Sequence, residues 1–144
     1  MEHTINVKHA ALTVFAACGT AVSNAMGGWD DSLTTLVIFM AADYVAGLVV
    51  AGVFRASAKS RGGGLDSRIC FEGIVKKAAC LLLVLIGARL DAMAGDGTTV
   101  RTMVFLFLLG NEGLSILENL GLMGVPYPQR LKNALDMLKS KGDE

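Results

Sequence analysis

Four apolar stretches, running about 9–26, 33–54, 74–94 and 100–124, restrict the fold of this chain more than any other feature. Each is close to the ~20 residues a helix needs to cross a ~30 Å hydrocarbon layer. In lipid every backbone amide must be satisfied within its own segment, so such stretches fold as helices. Composition agrees, because hydrophobic residues reach 53% and charged residues only 18%, against about 25% charged in average soluble chains. The second and fourth stretches are the most uniformly apolar. The first is diluted by Thr13, Thr20, Ser23 and Asn24. The third opens with Lys76-Lys77, whose stems would let the ammonium groups snorkel to the headgroups. The expected fold is all-α: a polytopic membrane protein with about four transmembrane helices, or three if the first stretch stays out of the bilayer.

Turn residues separate the stretches: Gly27-Gly28-Trp29-Asp30-Asp31-Ser32, a longer loop from Arg55 to Glu72 containing Gly62-Gly63-Gly64, and Gly95-Asp96-Gly97-Thr98-Thr99. Pro126-Tyr127-Pro128 ends the fourth, since proline cannot continue the backbone ladder. This divides the chain into a transmembrane helical domain, residues 1–126, and a cytoplasmic tail, residues 127–144. In the tail Leu131, Ala134, Leu135 and Leu138 recur at helical spacing among Arg130, Lys132, Asp136 and Lys139, which predicts an amphipathic helix. Such a helix would lie on the membrane or pack against its copies.

The 13 basic and 13 acidic residues cancel, so no global field is available to attract nucleic acid. Their placement is uneven. Arg55, Lys59, Arg61, Arg68, Lys76 and Lys77 gather around the long loop; Arg130, Lys132, Lys139 and Lys141 follow the last stretch; Lys8 precedes the first. The short turns hold Asp30, Asp31 and Asp96, with Arg101 nearby. The positive-inside rule then places both termini and the long loop in the cytoplasm.

Polar residues inside the stretches are the candidate functional residues, because a charged acid at the bilayer centre costs about 2.5–3.5 kcal/mol on insertion scales. In the fourth stretch Asn111, Glu112, Ser115, Glu118 and Asn119 share one broad helical face. They would form either an interhelical hydrogen-bond network or a water-exposed wall of a pore. Asp43, in the second, is placed to accept hydrogen bonds from Asn111 or Asn119, or to pair with Arg89; it also suits a proton relay. Gly47 and Ala51 follow Asp43 at steps of four, and Gly19 and Ser23 lie on the first stretch, so these four are candidate helix-packing positions. Arg89 and Asp91 are two apart and cannot face each other on one helix, so each needs an interhelical or interfacial partner.

No enzyme constellation is present: no GxSxG, phosphate loop or HExxH. Cys18, Cys70 and Cys80 form no CxxC pair, and neither His3 nor His9 has a ligand at metal-binding spacing. No metal or cofactor is expected. Phe15-Ala16-Ala17-Cys18 only faintly resembles a lipoprotein cleavage site, and apolar character continues past the cysteine.

Four short elements carry a resemblance. Asp43-Tyr44-Val45-Ala46-Gly47, then Ser67-Arg68-Ile69-Cys70-Phe71-Glu72-Gly73-Ile74-Val75-Lys76-Lys77, then Asn111-Glu112 with Ser115-Ile116-Leu117-Glu118-Asn119, and finally Gly124-Val125-Pro126-Tyr127-Pro128 follow in order. Together they resemble the phage lysis and toxin-secretion holin family from about Gly28 to Leu138, with arginine at position 68 where lysine is common. The resemblance implies a non-enzymatic protein of the bacterial cytoplasmic membrane that self-assembles into a homo-oligomeric pore. A cell-wall-degrading endolysin, or a large toxin, would then cross. The rival readings are a small proton- or ion-coupled transporter and an antiholin-like regulatory subunit that oligomerises without permeabilising.

Overall fold

The computed structural model describes the backbone of residues 2–60, 62–95 and 97–143, with side chains described within these from Val7 to Gly142. The expectations that involve Arg61, Asp96 and the His3 side chain lie outside these residues. Among the described residues five α-helices follow one another: α1 (Glu2–Ala25), α2 (Asp31–Val49), α3 (Ser67–Ala94), α4 (Thr99–Leu122) and α5 (Gln129–Asp143). A π-helical turn, Val50–Phe54, prolongs α2.

Among the described helices, α2 with its π turn (Asp31–Phe54) and α4 are long and apolar enough to cross a membrane. Helices fill all four apolar stretches, but four spans were expected and only these two meet that standard. The charges of α3 and the polar residues of α1 account for the difference.

Local chemistry sets the ends. Asp30 Oδ1 accepts from Leu33 N at 2.9 Å and caps α2; Asp66 Oδ1 accepts from Arg68 N at 2.9 Å and caps α3. Helix α4 closes with Gly124 at φ 79°, where Val125 N donates to Leu120 O. That left-handed closure, common for glycine, turns the chain toward the prolines.

Helices α2, α3 and α4 form the bundle. Its core is Leu33, Leu36 and Met40 of α2, Val84 of α3, and Phe105 and Leu108 of α4, with Met26 closing one end. The buried positions of α2 alternate by three and four residues, which keeps one stripe facing inward. On α3, Val84 and Asp91 are buried seven residues apart, about two helical turns. Gly87 admits α4: a Cβ there would lie 3.1 Å from Arg101 Cα.

Helix α5 folds back along the opposite side of α4, antiparallel to it. The sequence left two places for this helix, the membrane surface or a neighbouring copy; here it rests on α4 of its own chain. Helix α1 contributes least to the bundle, and its side chains from Val7 to Val22 are exposed.

Candidate functional site

Two polar centres bracket the apolar core. The first lies at the end formed by the two short turns. Arg101, 5% exposed, is its hub. Its Nε donates to Met26 O at 2.7 Å, Nη1 to Asp30 Oδ2 at 2.6 Å and Nη2 to Gly28 O at 3.3 Å. The guanidinium also lies 4.6 Å from the centre of the Phe105 ring. Asp91 reaches across from α3 and accepts from Val100 N and Arg101 N, each at 2.8 Å. Two otherwise orphaned amides of the first turn of α4 are thereby satisfied, and the carboxylate sits where the helix dipole favours it. This is the partner Asp91 required; Arg89 remains exposed. The hydrogen bond from Arg101 holds the Asp30 carboxyl below its ordinary value of 3.8, against the opposing effect of burial.

The second centre lies halfway along the apolar helices. Lys77 Nζ donates to Asp43 Oδ2 at 2.8 Å and to Glu112 Oε2. Asn119 Nδ2 donates to Asp43 Oδ1 at 3.0 Å. The lysine, aspartate and glutamate side chains are only 18%, 11% and 6% exposed. Asp43 falls near the middle of Asp31–Phe54, and Glu112 near the middle of Thr99–Leu122. Each carboxylate would be costly there alone. One ammonium shared by two acids, with an amide on the remaining oxygen, offsets much of that cost and leaves a formal charge of −1.

The geometry of α4 divides the predicted polar face. At about 100° per residue, the order around the helix is Glu118, Asn111, Ser115, Asn119, Glu112. Burial increases in that order: Glu118 and Asn111 are exposed, Ser115 is half-buried, and Asn119 and Glu112 are 9% and 4% exposed. One edge of the face therefore joins Asp43, and the other does not enter the network. Of the two expected amide partners for Asp43, Asn119 is the one that bonds. Of the packing positions, Gly47 faces the Asn119 amide and Ala51 is buried, whereas Gly19 has nothing within 4 Å and Ser23 is half-buried.

Lys77 was not anticipated here, since both lysines of the pair were expected to snorkel. Lys76 is exposed, but Lys77 turns inward. The signal was spacing: Lys77, Val84 and Asp91 are seven residues apart and occupy one row of α3, which Lys76 misses. Asp91 and Arg101 as a joint centre were also missed, because their sequence neighbours gave no hint of the pairing.

A cavity of about 760 Å³ adjoins the second centre. Asp43, Lys77, Glu112, Ser115, Glu118 and Asn119 help line it, and it extends to Ser57, Ser60 and Gly64 of the α2–α3 loop. Three of the four sequence elements quoted above meet at this place. Asp43 comes from the first, Lys77 from the second, and Glu112 with Asn119 from the third. Tyr44 and Gly73 also touch across the first and second, with a Gly73 Cβ placed 3.6 Å from the Tyr44 ring.

The chain is similar to several known proteins. An uncharacterised 14.9 kDa protein from the nagH 3' region of Clostridium perfringens is 37% identical over 143 residues, covering 98% of this chain and 99% of that protein. An uncharacterised protein of Listeria innocua is 39% identical over 127 residues, 88% of this chain and 85% of its own. A probable holin of Bacillus phage phi105 is 28% identical over 112 residues, 78% of this chain and 77% of the phage protein. No solved structure matches. The model of the bacteriophage holin family matches residues 20–140, which span all of α2 to α4 and most of α5, and the chain therefore belongs to the bacteriophage holin family.

Proposed function

We propose that the protein is a holin that assembles from copies of itself in the bacterial cytoplasmic membrane and opens a lesion. An endolysin, or in a toxin locus a large toxin, would cross through it. The observation that carries this reading is the Lys77–Asp43–Glu112 centre at mid-depth of apolar helices, beside a cavity that reaches the basic loop. A chain built only to anchor in lipid has no use for three charges there. In this reading α1 to α4 span the membrane, with the N-terminus, the α2–α3 loop and the turn between α4 and α5 on the cytoplasmic side. Helix α1 gains its packing partners, through Gly19 and Ser23, only when copies associate. Asp43, Glu112 and Asn119 hold the helices in the closed arrangement, while Asn111, Ser115 and Glu118 offer the edge that becomes wet as the lesion opens.

Induced expression with and without a cytoplasmic endolysin tests this. The expected result is membrane depolarisation in both cultures and abrupt lysis only with the enzyme. Continued growth without leakage would sink the proposal. The same carboxylates would also serve a proton-coupled carrier, which would show substrate-dependent flux while the proton gradient persists.

A further inference from the structure

The contact between α5 and α4 is unusually close, and glycines on both helices make it so. A Cβ at Gly110 would lie 2.6 Å from Lys139 N and 2.8 Å from Leu135 O. One at Gly113 would lie 2.6 Å from Leu135 Cδ2, and one at Gly142 would lie 2.6 Å from Met103 O. The close approach runs along α4 from Gly113, against the Leu135 side chain, back to Met103, with backbone against backbone at Gly110 and Gly142, about 15 Å at 1.5 Å per residue. That stretch contains the midpoint of α4. Lys139 stays on this interface, its Nζ 5.9 Å from the centre of the Phe107 ring.

The other side of α5 carries charges around an exposed Met137. Leu135 is buried and Leu138 half-buried, while Arg130, Asp136 and Lys141 are exposed. If α4 crosses a bilayer with α5 docked, those exposed charges lie within the thickness of the hydrocarbon layer. They cannot face acyl chains there at tolerable cost, so they must face water.

We propose that α5 is a re-entrant helix, held against α4 inside the membrane by Gly110, Gly113 and Gly142, whose charged face lines the water-filled passage between copies. This rests on the permeabilising function proposed above. It adds that α5, rather than the Asn111–Asn119 edge alone, forms the polar wall.

Spin labels on a cysteine-free background (Cys18, Cys70 and Cys80 replaced by serine) test it in vesicles of bacterial phospholipid. One pair joins Thr102→Cys, near the far end of α4, to Ser140→Cys on α5; a single label replaces Asp136. A docked α5 gives a 102–140 distance under about 20 Å, from adjacent helix axes 8–10 Å apart. An α5 lying on the opposite membrane surface gives more than about 25 Å, because α4 is about 36 Å long. The proposal expects the short distance, with the Asp136→Cys label reached by a water-soluble relaxing agent and shielded from lipid. Gly113→Leu, which pushes a side chain into Leu135, should shift the population to the long distance while circular dichroism shows the helices retained. A long distance in the parent, a lipid-exposed label at 136, or an unchanged distance in Gly113→Leu would overturn it. Dye release from the same vesicles separates the two ideas: release with a long distance rejects the role of α5 alone, and no release rejects the permeabilising function, and with it the lining role.

Discussion

Removing the Lys77 ammonium should damage the protein more than removing either acid that it bridges. In Lys77→Met, Asp43 and Glu112 keep their burial but lose their common cation, and two carboxylates face one cavity at mid-depth. Breaking a buried pair by deleting one partner costs about 3–5 kcal/mol, a large part of a typical total of 5–15 kcal/mol. Asp43→Asn is milder. Lys77 still pairs with Glu112, the formal charge of the centre falls from −1 to zero, and what is lost is one hydrogen bond between charged groups, about 1.5–3 kcal/mol. The triple variant Lys77→Met, Asp43→Asn, Glu112→Gln removes every charge together, and replacement of a whole buried ionic group is often close to neutral. Asn119 would retain an oxygen at position 43 to bond. The expected stability order in denaturant titrations of the micelle-bound protein, read by circular dichroism, is wild type near the triple variant, then Asp43→Asn, then Lys77→Met. If Lys77→Met were no less stable than Asp43→Asn, or the triple variant as unstable as Lys77→Met, the ion-bridged centre would not be what holds α2, α3 and α4 together.

Other expectations follow from the same geometry. Glu112→Leu should reduce stability and change or abolish lysis, whereas Glu118→Leu should leave the fold intact and alter only the time of onset; if both variants lysed on the wild-type schedule, the polar face would serve packing alone. Acid should loosen the turn between α1 and α2. The Asp30 carboxyl is held below 3.8 in the folded protein by Arg101, so its contribution is present above the unfolded value and disappears as pH falls through the folded one. Asp30→Asn should flatten that part of a stability profile measured between about pH 5 and 2, and an unchanged profile would show that the Arg101–Asp30 contact carries no stability.

Much of the fold was legible before any coordinates. The apolar stretches became α1 to α4, Pro126-Tyr127-Pro128 separates α4 from α5, and the spacing of Leu131, Leu135 and Leu138 foretold a helix. Asp43 was recognisable as a candidate because an acid in so apolar a stretch needs a partner. Its partnership with Asn119 was one of three offered, and spacing alone had no means to choose, since Asn111 and Asn119 lie within about 80° of each other on one helix.

What the sequence determined by itself was therefore local: which segments are helical, where they stop, and which polar residues are too costly to leave alone in an apolar setting. Those follow from hydropathy, capping and backbone chemistry within a few residues. Tertiary structure decided the pairing. Lys77 enters the centre and Lys76 does not because the packing angle of α3 directs one row of its side chains at α2 and α4. Asp91 caps α4 because Gly87 lets the two backbones approach. Helix α5 lies on α4 because Gly110, Gly113 and Gly142 remove the side chains that would hold the helices apart. In each case the energy depends on distances between residues far apart in the chain, and those distances exist only once the helices have packed.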